Sequence, residues 1–222
     1  MSSSYINRSD TFQALEKMMS FHDECKELYA SHGFNLLDNL GRRNIVLSQA
    51  QEKFFADVLS KRHAGVINDG RTGQPDIVIE SLDKELECKL TSRHKSGTIS
   101  FQSDYESLSQ KGSLDYLYVV ADDKFEKFAV LHFEGLTVDD FRPLSTGARG
   151  KVAMYKHKGM KKCNVLVGSV INKNDIHIKK NHEKLMNVDL PPYLRQKAQK
   201  SLEYWKDKPT SYTFVLEGIN ET

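Results

Sequence analysis

The chain of 222 residues has only three cysteines, and Cys25, Cys88 and Cys163 lie too far apart in sequence to form a Cys-x-x-Cys pair. Neither a disulfide framework nor a structural zinc site follows from such a set, and the thiols are expected to be reduced. No apolar run is long enough to cross a bilayer, and the Met1-Ser2-Ser3-Ser4 start lacks a signal peptide's apolar stretch. No membrane association is therefore expected, and the expected compartment is cytoplasmic. Also missing are His-Glu-x-x-His, a Walker-type phosphate loop, a Gly-x-Ser-x-Gly elbow and Gly-x-Gly-x-x-Gly, so zinc proteases, NTPases, serine hydrolases and dinucleotide enzymes lack their usual residues. There is no repeat, coiled coil or low-complexity tract.

What the chain does have is charge, unevenly spread. Lys and Arg total 32 against 30 Asp and Glu, a net of +2. Between Arg142 and Lys208 there are 16 basic residues against 5 acidic ones, and the remainder carries 16 against 25. An acidic body beside a basic last third suits a protein whose partner is a polyanion. Lys151, Lys156, Lys158, Lys161, Lys162, Lys179 and Lys180 are the leading candidates for backbone phosphate contacts, although any one of them considered alone reads as a solvated side chain.

The most informative stretch runs from Gly73-Gln74-Pro75-Asp76 through Glu80 to Glu87-Cys88-Lys89-Leu90. It alternates as two strands joined by a polar turn, with Asp76, Val78 and Glu80 on one face and Ile77 and Ile79 on the other. In the second strand Glu85, Glu87 and Lys89 point one way, while Leu86, Cys88 and Leu90 point into a core. A hairpin brings Asp76 close to Glu87 and Lys89. Two carboxylates offer oxygen ligands to a divalent cation, and the ammonium can polarise an attacking water or stabilise charge on a phosphorane. Glu-x-Lys alone says little, since Glu24-Cys25-Lys26 repeats it on an ordinary helix; strand, spacing and upstream glycines distinguish the second copy.

Pro75-Asp76, ten residues, then Glu87-Cys88-Lys89 resembles the PD-(D/E)XK nuclease superfamily, and among its members most resembles a type II restriction endonuclease. The match covers about the middle half of the chain, from the helix near Gln51 to the strand near Val119. The resemblance implies a restriction-endonuclease-like α/β core with a central mixed β-sheet flanked by helices. It implies Mg2+-dependent cleavage of double-stranded DNA, with Mn2+ as a substitute, Asp76 and Glu87 as metal ligands and Lys89 as the catalytic lysine. A homodimer acting on a short palindrome and a cognate methyltransferase protecting host DNA are the expected partners. Many such enzymes place a helix-borne acid behind the sheet, and Glu52 is the candidate here; Asp69 is a weaker one that reads as a turn residue. A structure-specific repair or recombination nuclease of the same fold is the alternative, followed by a non-catalytic DNA-binding protein. The eight histidines show no paired spacing for an HNH or zinc-finger nuclease.

The remaining organisation is expected to be one nuclease domain: a helical region over 1–47, a catalytic core over 48–121 and a sheet extension over 122–222 carrying basic and dimerisation elements. Ser9 or Asp10 is expected to cap a helix through about Ser31, and Ser48 with Gln51 forms a capping-box signature for a helix ending near Arg62. On that helix Gln51 projects near the middle of the apolar face and Glu52 at its edge. The polar run from Thr91 to Gly97 is expected to line the DNA cleft, with Arg93 and Lys95 meeting phosphate and His94 exposed. A short strand over Thr98 to Phe101, a helix from Asp104 to Lys111 and a buried strand from Leu114 to Ala121 follow. Strands are then expected over Lys127–Phe133, Lys151–His157, Asn164–Ile171 and Tyr212–Leu216, with a helix from Pro191-Pro192 to about Lys206.

Overall fold

The first helix begins at Asn7, whose side chain accepts the Asp10 amide at 2.8 Å while the Asp10 carboxylate accepts the Asn7 amide at 3.2 Å. This capping box starts α1 (Arg8–Ser31), so the cap lies just upstream of Ser9, and Asp10 is its reciprocal partner. The computed structural model describes residues 4–71, 73–93, 99–145, 150–208 and 210–219. Helix α2 spans Leu40–Leu59 and is capped by Asn39, so Ser48 is a mid-helix residue bonded back to Ile45 O rather than a cap. The early start is hidden in the sequence because Arg43 occupies the buried face. Its guanidinium is fully buried, donating to the carbonyls of Asp122 and Asp123 and to Ser92 Oγ, with Phe125 5.1 Å away.

The strands are β1 (Val66–Asn68), β2 (Ile77–Ile79), β3 (Lys84–Ser92), β4 (Gln102–Asp104), β5 (Leu114–Ala121), β6 (Lys127–Leu136), β7 (Lys151–Ala153), β8 (Cys163–Val167), β9 (Ser169–Asn172), β10 (Tyr212–Val215) and β11 (Glu217–Gly218). The further helices are α3 (Tyr105–Lys111), α4 (Lys156–Gly159), α5 (Lys173–Met186) and α6 (Pro192–Asp207). The central sheet runs β1-β2-β3-β5-β6-β11, with β8 also paired to β6. Among the described residues of this sheet only β3 and β5 pair in parallel, which makes the sheet mixed and requires the crossover that β4 and α3 supply. The fold is α/β, a central mixed sheet flanked by helices.

Both faces of β5 are covered, which explains why every one of its residues is buried. Leu117, Val119 and Ala121 join Leu15, Met18, Leu47 and Phe55 of α1 and α2 in one apolar cluster. Tyr116 and Tyr118 face an aromatic group instead, with Phe101 at 4.9 Å and Phe133 at 5.6 Å from Tyr118. Their hydroxyls are satisfied by Ser103 Oγ and by the Gln102 carbonyl. The two-stranded ribbon of β4 and β7 therefore sits against this second face. On neighbouring β6, His132 is fully buried, bonded through Nδ1 to Ser4 Oγ at 2.7 Å and set edge-on to Tyr5. Burial pushes its pKa down to about 4.

Several expected elements shift. The strand foreseen over Thr98–Phe101 does not form at Ile99–Phe101: the short strand β4 comes after it, at Gln102–Asp104, and Thr98 lies outside the described residues. Past Ala153 the expected strand gives way to α4. The apolar run Asn164–Ile171 is split at Gly168, where φ is +76° and a Cβ would stand 2.4 Å from the Val215 carbonyl oxygen. The chain forms two compact units, one comprising Met1–Ser169 with Val215–Thr222 and the other Val170–Phe214. The second contains α5 and α6; α5 has no counterpart in the sequence reading. Among the described residues no helix is long and apolar enough to cross a membrane, and all three cysteines are free thiols.

Candidate active site

Gly73, at φ +84°, and Pro75 bring the chain into β2 through Asp76. Ile77 pairs with Leu86 in the antiparallel β2–β3 ladder, so continuing that register by one residue sets Asp76 opposite Glu87. The Cys88 amide donates to Asp76 Oδ2 at 2.7 Å and fixes the carboxylate against the neighbouring strand. Across the parallel β3–β5 pairing, Glu87 is registered with Tyr116 and Lys89 with Tyr118, so acid and lysine share one face of the sheet. Lys89 Nζ lies 2.5 Å from Glu87 Oε1. The structure thus brings Asp76, Glu87 and Lys89 together.

The electrostatics bring in Glu52. Burial, reinforced by the charge of Asp76, raises its carboxyl to about 7, with Lys89 opposing. Burial and the charge of Glu87 likewise raise Asp76 to about 6, against the pull of Lys89 and the Cys88 amide. Burial works to lower the Lys89 ammonium, but Glu87 and Asp76 outweigh it and leave its pKa raised. Three carboxyl groups therefore share one ammonium, a cluster short of positive charge. Preceding Glu52 on α2, Gln51 is fully buried and donates from Nε2 to the Leu117 carbonyl at 3.0 Å, which braces the helix against β5.

Asp76 and Glu87 open into a cleft of about 290 Å3, whose walls include Arg71, Asp104, Lys111 and Lys151. Among the described residues, Lys151 is the one basic candidate that lines it. Arg93 is exposed just past β3. Lys95 and His94 lie outside the described residues. Lys156 packs over the Phe101 ring, and burial lowers its pKa. Lys158 donates to the Asp139 carbonyl, and Lys161 is exposed. Lys162 departs from the expectation of a solvated phosphate contact: its ammonium is held at 2.7 Å by both the Asp140 carboxylate and the Gly135 carbonyl. Lys179 and Lys180 belong to the separate Val170–Phe214 unit. Asp69 directly follows β1 rather than lying in a turn: its amide donates to the Asp76 carbonyl at 3.1 Å, and its carboxylate grips Arg71 and is held below its usual pKa by that bond.

Among the described residues, no group of three or more His, Cys, Asp or Glu side chains is placed to hold a metal ion. No family model matches the chain, and no curated protein matches it. Hard oxygen donors from Asp76 and Glu87, in a cluster with excess negative charge, fit a magnesium-type cation, which is held by one or two carboxylates and completes its shell with water and phosphate oxygens.

Of the cleft's cationic wall, sequence reasoning named Lys151 but missed Arg71 and above all Lys111. As the last residue of a short helix ahead of Gly112 it carries no local signal, and only the crossover packing brings it beside the hairpin.

Proposed function

We propose that the chain is a metal-dependent endodeoxyribonuclease of the PD-(D/E)XK kind, acting as a type II restriction endonuclease on double-stranded DNA at a short palindromic sequence. The observation that carries this reading is the meeting of Asp76, Glu87 and Lys89 at one end of a hairpin in a mixed α/β sheet, with Glu52 electrostatically coupled to all three. Asp76 and Glu87 would hold Mg2+, with Mn2+ as a substitute. When bound, the ion supplies positive charge against the charge that develops on the phosphate oxygens.

The reaction adds water across one P–O bond of the backbone. Asp76 is kept in position by the Cys88 amide, while Glu87 anchors Lys89 through one carboxylate oxygen. Lys89, kept protonated by its two acid neighbours, orients the attacking water or offsets the phosphorane charge. Glu52 acts from behind as an outer acid. Breaking both strands takes two clusters, and a two-fold homodimer provides one per strand. A cognate methyltransferase completes the proposed system by protecting host sites.

The test is digestion of a long DNA of known sequence by the purified protein with Mg2+, followed by mapping of fragment ends. Discrete ends at a short palindrome support the reading. Cutting only at branches or flaps selects a structure-specific nuclease, and no cutting with Mg2+ or Mn2+ rejects the enzyme reading.

A further inference from the structure

Lys111 and Lys151 reach the cleft of Asp76 and Glu87 from separate elements, one at the end of α3 and the other at the start of β7. Each has a carboxylate partner. Lys111 Nζ lies 2.7 Å from Glu85 Oε1, and Lys151 Nζ lies 3.7 Å from Asp104 Oδ2. The two lysine side chains remain 32% and 55% exposed, in the range where ion pairs contribute little to stability and exchange readily.

The acids, by contrast, are fixed by the backbone. Glu85 stands on β3 two residues before Glu87, paired in register with Val78. Asp104 caps α3, accepting the Ser107 amide at 3.1 Å. Two partly exposed ammonium groups, Lys111 hydrogen-bonded to Glu85 and Lys151 loosely paired with Asp104, thus stand beside an acid cluster that by itself would repel a polyanion. A DNA phosphodiester presents two charged oxygens, as a carboxylate does, and the Lys151 ammonium stands 3.7 Å from Asp104, beyond hydrogen-bonding distance, so its partner is one a phosphate can replace.

We propose that Lys111 and Lys151 form a clamp for DNA phosphate neighbouring the one attacked, and that Glu85 and Asp104 are exchangeable partners which the phosphate displaces. The inference rests on the nuclease reading and adds to it the residues that seat the strand. It also sets the clamp apart from a purely structural ion pair, because Lys111 and Glu85 then have opposite effects on binding. Losing the lysine removes a contact; losing the carboxylate's charge removes a competitor.

The experiment is fluorescence anisotropy of a labelled DNA duplex with the full chain, Ca2+ replacing Mg2+, over a salt series. Lys111→Ala and Lys151→Ala should each weaken binding about three- to tenfold and lower the slope of log affinity against log salt by about one. Arginine at either position should restore binding, and glutamine should not. Glu85→Gln should bind about two- to fivefold more tightly, as expected for removal of one competing surface pair. Unchanged slopes in both lysine variants, or weakening in Glu85→Gln comparable to Lys111→Ala, overturn the clamp. If the wild type cuts DNA while the lysine variants match it in both binding and cutting, the clamp alone falls. A wild type that neither binds nor cuts any duplex overturns the nuclease reading and the clamp with it.

Discussion

Asp76 accepts the backbone amide of Cys88 at 2.7 Å, so the leading residue of one strand is pinned to the middle of the next. The same carboxylate is held where its charge is disfavoured, its pKa raised to about 6 by burial and by Glu87. At neutral pH this arrangement opposes folding. Asp76→Asn, which keeps an acceptor for the Cys88 amide but loses the charge, should abolish DNA cleavage while raising stability by on the order of 1 kcal/mol after allowance for partial solvent access. Asp76→Ala leaves the amide without its acceptor and should cost about 1–3 kcal/mol relative to Asn. Chemical denaturation of the three proteins checks the order; Asn less stable than Ala would contradict it.

Lys89 and Glu87 should be separable by kinetics. Lys89→Ala and Glu87→Gln are each expected to reduce cleavage by several orders of magnitude, since one removes charge stabilisation and the other a metal ligand. Duplex binding in Ca2+ should survive in Lys89→Ala. Wild-type cleavage by Glu87→Gln would remove that residue from the site.

Glu52 sets a pH dependence of definite sign. Its folded pKa of about 7 exceeds the ordinary 4.5, and that of Asp76, about 6, exceeds 3.8. The native state therefore holds protons that the unfolded chain releases, and this contribution to stability is full below about pH 4 and lost as pH rises through 6 and 7. Cleavage should follow the opposite course, rising over that range as the carboxylates ionise. In Glu52→Gln the upper limb of the profile should disappear and the midpoint move toward 6, with a smaller loss of rate than in Glu87→Gln. A pH–rate profile identical to wild type would exclude Glu52 from the cluster.

His132 works in the other direction. Its folded pKa, lowered by burial from 6.5 to about 4, means the unfolded chain binds the proton more tightly. Stability from this residue is complete above 6.5 and declines as pH falls toward 4, by on the order of 3 kcal/mol. The groups around it are Ser4, Tyr5, Lys84, Asp115 and Glu134. Because the carboxyl cluster has the opposite sign over part of this interval, NMR of the His132 ring is the direct measurement: it should stay neutral well below pH 6. Titration near 6.5 would contradict the assignment.

Neighbouring lysines 161 and 162 should part company. Lys162→Ala strips a buried carboxylate, Asp140, of its cation and is expected to cost about 1–3 kcal/mol with little change in the salt slope of DNA binding. Lys161→Ala should leave the melting temperature unchanged. If it meets phosphate, the slope falls by about one contact.

The hairpin was legible in the sequence because period-two alternation and one pair of neighbouring strands are enough to gather Asp76, Glu87 and Lys89. Buried β5 and the α3 stop at Gly112 were legible for similarly local reasons. Elsewhere local signals misled. Arg43, buried through carbonyl and hydroxyl partners, breaks the apolar pattern of α2 and hides its first two turns. Helix α5 buries only Asn174 and Asn181, so no apolar stripe announces it. Gly168 interrupts an apolar run whose two halves go to different sheets. On the cationic side of the cleft only Lys151 was named from the sequence, because Arg71, Lys111 and Lys151 meet there only through the crossover and the ribbon.

Gly168 has a consequence beyond that turn. Its amide is bonded to Glu217, and the space for its Cβ is filled by the Val215 carbonyl, so the chain leaves the larger unit and returns to it at one place. A segment that exits and re-enters at a single point imposes no change of path on its host. Val170–Phe214 is therefore a segment inserted at one point of the larger unit, and a change in its length asks for no change in the strands that carry Asp76, Glu87 and Lys89.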